Sequence, residues 1–325
     1  MPAHPARFHD LTTLPGPGPW TSADLLGLGW TPKGIRHARS TGALMSLARG
    51  VYGRPHGSML ADLRSLCAAA LITAPAGAVI SHATGARLQC ITLPARVDDW
   101  IHVTSPGDAG RTHRSVRLHR SALPADLRAT EHGLPVTTIA RTAVDTARGH
   151  TAAQALVVLD SAARLLVAQS SDLWVLRDPT QRDHCISAAR DKLTRAWDSV
   201  RTWPGTRVVA DLLPHVDPCS ESPFESTSRA RMITSGFPSP LLAWPVSGAS
   251  GRTYYADFVW LGARVVGEAD GWSKYGDAVS VRDRLRQERE RQRDLESAGW
   301  IVVRWDPSEP LDAVLRRILA ALNHR

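Results

Sequence analysis

The chain has 325 residues, 43% of them hydrophobic, and its 39 Lys and Arg outnumber 31 Asp and Glu to give a net charge of +8. That length predicts two or three domains with ordinary apolar cores, while the positive balance favours a polyanionic partner. No stretch has the length of a transmembrane span or the pattern of a secretory signal, so a membrane protein is excluded and a cytoplasmic one expected.

Four cysteines, Cys67, Cys90, Cys185 and Cys219, stand far apart with no C-x-x-C pair. This excludes a cysteine zinc site and a disulfide framework and leaves small, buried hydrophobes. Lysine occurs only at Lys33, Lys192 and Lys274, so arginine, whose planar fork suits phosphate, carries the positive charge.

The first predicted helix follows Trp20, with Thr21 or Ser22 as its cap and Asp24 in the first turn. A turn at Leu28–Trp30 leads to a second helix with Thr31 as N-cap and Pro32 at the first helical position, where a missing N–H costs least. Residues 43–52 form a short hairpin. Helix, turn, helix and hairpin outline a winged helix, whose second helix enters the major groove. Lys33, Arg36, His37 and Arg39 are its exposed positions, with Arg49 in the wing.

Leu60–Ala74 predicts an Ala/Leu-rich helix, Ser81 opens another, and Trp100–Thr104 and Ser115–His119 alternate as strands. Leu134–Thr138 precedes a helix from Ile139 to Arg148, and Leu156–Ala168 has an apolar face. His82, His102 and His119 share no ligand spacing and are expected to be structural or solvent-facing. Ser81-His82 lacks a nucleophile elbow, which excludes a hydrolytic triad. Helices are predicted over 186–200 and 207–213, before a linker at His215–Pro218. The wing segment Leu47-Ala-Arg49-Gly50-Val51-Tyr52 and the element order that follows resemble AbiEi-type antitoxins, which are transcriptional autoregulators. The resemblance covers roughly the first half of the chain and implies DNA and a cognate toxin as partners.

The last third predicts two strands, a charged helix and a returning strand. Asp257 lies inside an apolar run, where an ionised carboxylate needs compensation. Glu268 follows across a hairpin, and Asp270 shares its strand face. In-register pairing would bring the three carboxylates together, as a hard cation such as Mg²⁺ requires. The helix over 280–298 carries Arg282, Arg284, Arg286, Arg289, Arg291 and Arg293 among acids, a pattern for phosphate contacts or for i, i+4 ion pairs.

Glu221-Ser-Pro-Phe-Glu225, Tyr255-Ala-Asp257-Phe, Glu268-Ala-Asp270-Gly, Arg282-x-Arg284, Arg291-x-x-Asp294 and Ala298-Gly-Trp-Ile-Val-Val-Arg304, in this order, resemble the PD-(D/E)XK nuclease superfamily in its very-short-patch-repair branch. The resemblance implies Asp257 and Glu268 as ligands of Mg²⁺ or Mn²⁺, Asp270 joining them, and Glu225 facing the same pocket. Asp270 stands where the superfamily has its lysine, and Lys274 is the nearest cation that could replace it. The catalytic set implied is therefore Glu225, Asp257, Glu268, Asp270 and Lys274. Arg282, Arg284, Arg286 and Arg291 are expected on DNA.

The expected fold is a multidomain α/β and α+β chain. It comprises a winged helix over 1–57, an antitoxin-like α+β domain over 58–169, a helical connector over 170–218, and a restriction-endonuclease-like α/β domain with a central mixed sheet over 219–325. A metal-dependent DNA endonuclease is the first functional expectation. An antitoxin-like regulator that keeps a degenerate nuclease fold for binding is the alternative.

Overall fold

The computed structural model describes residues 11, 14–16, 18–95, 97–107, 115–271 and 278–324, with the backbone alone for 278–285. The chain divides into two units, one comprising 1–90 and 97–138, the other 91–96 and 139–325.

The first unit opens with β1 (Trp20–Thr21), α1 (Ser22–Gly27), α2 (Pro32–Ser40), β2 (Met45–Ala48) and β3 (Val51–Gly53). Thr21 caps α1 by accepting from the Asp24 N–H while the Asp24 carboxylate accepts from the Thr21 N–H, a reciprocal capping box. At α2, Thr31 accepts from the Gly34 N–H at 3.1 Å and Pro32 occupies the first turn. The strands form a three-stranded antiparallel sheet in the order β1-β3-β2. Trp20, Leu25, Trp30, Ile35, Ala38 and Leu44 pack together beneath it.

The same unit continues with α3 (Met59–Thr73), β4 (Val79–Ile80), α4 (His82–Leu88), β5 (Ile101–Ser105), β6 (Val116–Arg120), β7 (Arg128–Glu131) and β8 (Leu134–Thr137). The five strands make a mixed sheet in the order β6-β5-β4-β8-β7. Its apolar face, with Ile80, Ile101, Val103 and Val136, packs on Cys67 and Ala70 of α3. The edge strand β7 has no counterpart in the sequence reading. Its residues Arg-Ala-Thr-Glu are half-buried or exposed, so no apolar alternation marks it.

The second unit stacks α5 (Ile139–Ala147), α6 (Ala152–Ala168), α7 (Arg182–Asp198), α8 (Thr206–Leu212) and α9 (Pro223–Thr234). Helix α6 begins before the expected Leu156 because Thr151 and Gln154 close a capping box there. Then come β9 (Leu241–Ser247), β10 (Thr253–Trp260), β11 (Val265–Ala269), α10 (Ala278–Ser297), β12 (Ile301–Trp305) and α11 (Leu311–Leu322). The sheet order is β12-β11-β10-β9, with β9, β10 and β11 antiparallel and β12 parallel to β11. A parallel neighbour needs a crossover connection, and α10 supplies it. The expected strand pair, long helix and returning strand are thus present in a mixed sheet.

Two buried contacts fix this unit. Asp160 on α6 accepts from Arg229 Nη1 at 2.9 Å and Ser226 Oγ at 2.8 Å on α9, and from the Asp217 N–H at 2.9 Å. Trp305 on β12 donates to Ser228 Oγ at 3.0 Å and lies against Phe258, their ring centroids 5.2 Å apart. Among the described residues no helix is long and apolar enough to cross a membrane.

Candidate nucleic-acid interface and acidic site

In the first unit, α2 buries Ile35 and Ala38 and leaves Lys33, Arg36 and His37 exposed on the opposite face. Arg39 lies at the flank, its guanidinium 5.9 Å from the centroid of the Tyr52 ring on β3. Arg49 is exposed in the turn between β2 and β3, where Gly50 adopts φ +72. Arg39 and Arg49 border one hollow of about 1140 Å³, shared with Ser46, Gly50, Tyr52 and Ser115. The five DNA contacts expected in this unit therefore form two groups, a helix face and a wing-side pair.

In the second unit, the acids named from sequence lie in the first turn of α9, in the middle of β10 and at the end of β11. Ser222 caps α9 by accepting from the Glu225 N–H at 3.1 Å, and Glu225 Oε2 accepts from the Glu221 N–H at 2.8 Å. This capping holds Glu225 in the first turn of α9, where it is buried. On the sheet, Phe258 pairs with Gly267 across β10 and β11. One further step of that register sets Asp257 opposite Glu268. Asp257 Oδ2 accepts from the Ala269 N–H at 2.8 Å.

Glu268 is 5% exposed. Its Oε1 accepts from Arg291 Nη2 on α10 at 2.6 Å, and the same Nη2 donates to the Tyr255 carbonyl at 2.8 Å. Asp270 is forked by Arg304, which donates from Nε at 2.9 Å and Nη2 at 3.1 Å. Arg304 stands beside Glu268 in the parallel β11–β12 register and also approaches Glu288 at 3.6 Å.

Four carboxylates, Glu225, Asp257, Glu268 and Asp270, thus share one neighbourhood with two guanidiniums. Burial, reinforced by the charge of Asp257, pushes the Glu225 carboxyl up to about 7 and the Glu268 carboxyl up to about 8. Arg291 and Arg304 oppose that rise at Glu268. Such a site takes up protons near neutrality. A dication bound by Asp257, Glu268 and Asp270 would have to displace Arg291 from Glu268 and Arg304 from Asp270.

The basic helix divides in the same way. Arg291 turns inward to Glu268, whereas Arg286 is exposed and pairs with Glu290 at 2.9 Å, one turn on. Lys274 lies outside the described residues, as do the side chains of Arg282 and Arg284. Arg304 as the partner of Asp270 is not legible in the residue spacing. Its signal was the parallel pairing of β12 with β11, which spacing alone does not fix. Asp294, on the turn after Arg291, accepts from the Ser250 N–H at 2.8 Å and the Tyr254 hydroxyl at 2.9 Å. It ties α10 to the β9–β10 turn.

Residues 68–194, which include α4, α5, α6 and the larger sheet of the first unit, match the family model of the AbiEi antitoxin C-terminal domain. Two curated relatives, the uncharacterized proteins Rv2248 and MT2308 from two strains of Mycobacterium tuberculosis, are each 29% identical over 205 residues. The alignment spans 62% of this chain and 65% of the length of those relatives. The crystal structure of the Rv2827c protein from Mycobacterium tuberculosis covers 74% of this chain and 83% of its own, with a TM-score of 0.34 and 19% identity.

Proposed function

We propose that the chain is a DNA-binding regulator of the antitoxin type, with DNA and a cognate toxin as its partners. The observation that carries this reading is the match of residues 68–194 to the antitoxin C-terminal domain, directly behind a helix-turn-helix and hairpin that exposes Lys33, Arg36 and His37. In this reading the first 57 residues act as a winged helix. Helix α2 enters the major groove, Arg49 on the wing reaches the backbone, and phosphate contacts set position while base contacts set sequence. In this reading the protein is cytoplasmic. The test is a gel-shift titration on DNA from its own promoter, with Arg36→Ala and His37→Ala as variants. Preference for the promoter over scrambled DNA, lost in the variants, supports the regulator. Equal affinity for both DNAs overturns it.

One observation favours a second reading, in which the C-terminal domain is a PD-(D/E)XK-type nuclease using Mg²⁺ or Mn²⁺. Asp257 faces Glu268 across the β10–β11 register and adds to burial in raising the proton affinity of both Glu225 and Glu268, so three carboxylates share one pocket where a dication could replace their protons. Asp257 and Glu268 would hold the ion. Incubation of supercoiled DNA with either metal, beside Asp257→Ala and Glu268→Ala, decides it. Nicking by wild type alone supports the enzyme, and identical behaviour of all three proteins removes it.

A further inference from the structure

His82, His102 and His119, unrelated by spacing in the chain, meet in the first unit. Three neighbouring strands bring them together: His82 follows β4 at the start of α4, His102 lies on β5 and His119 on β6. In the parallel β5–β6 register Thr104 is level with His119, so His102 and His119 share a face two positions apart. Ser81, next to His82, donates its N–H to the His102 carbonyl at 3.0 Å. One ligand nitrogen from each ring lies within 4.8 Å of the other two. His82 and His102 are buried and His119 is half-buried.

We propose that His82, His102 and His119 form a binding site for one divalent transition-metal ion of the Zn²⁺ class. Among the described residues this is the group of three metal-ligand side chains that converges. The surroundings match what a metal-bound imidazole needs. His102 Nε2 faces Asp98 Oδ1 at 2.7 Å, and Asp98 is held in turn by Arg117 at 3.2 Å. A carboxylate behind the ring fixes its tautomer and leaves the other nitrogen, Nδ1, as the electron-pair donor. His82 Nδ1 lies 3.0 Å from Ser81 Oγ, which accepts from Thr104 Oγ1 at 2.7 Å. That contact leaves His82 Nε2 as its ligand atom. His119 Nε2 faces His102 Nδ1 at 2.9 Å, so one proton sits between the two donors. Metal binding moves that proton to the other ring nitrogen of His119, Nδ1, and turns both facing nitrogens to the ion as electron-pair donors.

At His82 the backbone turns through φ +49, a left-handed conformation that histidine enters more readily than most side chains, and the turn lies where its ring enters the group. The rings of His82 and His119 stack with centroids 3.7 Å apart. Loading therefore turns them about their side-chain bonds until the lone pairs converge on the ~2.0–2.1 Å Zn–N distance. Three imidazoles leave the fourth tetrahedral position to water or an added donor. The preference follows from softness, because imidazole suits Zn²⁺, Co²⁺, Ni²⁺ and Cu²⁺ and not Mg²⁺.

Titration of chelator-stripped full-length protein with Zn²⁺ by calorimetry, and with Co²⁺ by visible absorption, tests the site. One ion per chain is expected, with Co²⁺ giving the intense bands of a tetrahedral nitrogen site. His119→Ala, at the half-buried position, should abolish binding while circular dichroism stays unchanged. Asp98→Asn should weaken it about 10–100-fold. Should His82→Ala fail to fold, these two variants still decide. No ion bound by wild type, or His119→Ala and Asp98→Asn titrating as wild type does, overturns the proposal.

Discussion

At the scale of single residues, the acidic site of the second unit makes a signed prediction about pH. Glu268, raised to about 8 from an ordinary value of 4.5, keeps its proton longer in the folded protein than in the unfolded chain. Between those values the native state binds more protons, so stability falls as pH rises. The contribution is complete below about pH 4.5 and lost as pH passes about 8. Thermal melting from roughly pH 5 to 9 should therefore show a descending limb, and Asp257→Asn, by removing the charge that adds to burial in raising both Glu225 and Glu268, should make it shallower. An unchanged slope in that variant would mean that Asp257 does not govern the two glutamates. The single-residue scale is also where sequence was least informative. Asp257 and Glu268 were nameable from an apolar run and a hairpin, but their counter-charges were not. Arg291 reaches Glu268 from a helix and Arg304 reaches Asp270 from a parallel strand, and neither contact follows a local spacing. The histidines show the same limit, since imidazoles on two strands and at the start of a helix carry no motif.

At the scale of elements, the mixed sheet depends on one position without a side chain. A Cβ on Gly267 would meet the Trp305 ring at 2.9 Å and Phe258 Cβ at 3.1 Å. Trp305 is buried and pinned by Ser228, so it has little room to yield. Gly267→Ala should cost about 1–3 kcal/mol by overpacking, measured by urea denaturation. Between α6 and α9 the exposure to loss is greater. Asp160→Ala would leave Arg229 buried beside no carboxylate, a change expected to destabilise by ~3–5 kcal/mol. Asp160→Asn, which keeps the shape and one acceptor, should cost less. If both substitutions proved neutral, the ion pair would not be what holds the two helices. Elements with end signals were the legible part of the fold. Thr31 and Pro32 marked α2, Thr21 and Asp24 marked α1, and the charged run marked α10. Strand β7 escaped because a solvated edge strand needs no apolar alternation, and α6 was placed late because Thr151 and Gln154 cap it ahead of its first large apolar residue.

At the scale of the whole molecule, a net charge of +8 and an exposed basic face on α2 predict DNA affinity that falls steeply with salt. For full-length protein, a plot of log affinity against log salt should be linear, and Arg36→Ala should reduce its slope by about 1 if that side chain neutralises a phosphate. An unchanged slope with unchanged affinity would take α2 off the DNA. The division into units has a different origin from the motifs. Ile91–Arg96 belongs with the second unit, where the Thr92 N–H donates to Ser161 Oγ at 2.9 Å. No composition shift announces that hexapeptide, because its membership is set by a contact 69 residues away.

That contact also orders events at the ribosome. At roughly 5–20 residues per second, the 69 residues from Thr92 to Ser161 take about 3–14 s to be made. Over that interval the remaining strands of the first unit, β5 to β8, are synthesised, while Ile91, buried in the finished protein, awaits helices not yet translated. Nascent chains from which Thr138 has emerged and Ser161 has not should accordingly hold a completed five-stranded sheet interrupted by a solvent-facing loop. The second unit closes only when later translation delivers the surface on which that loop docks.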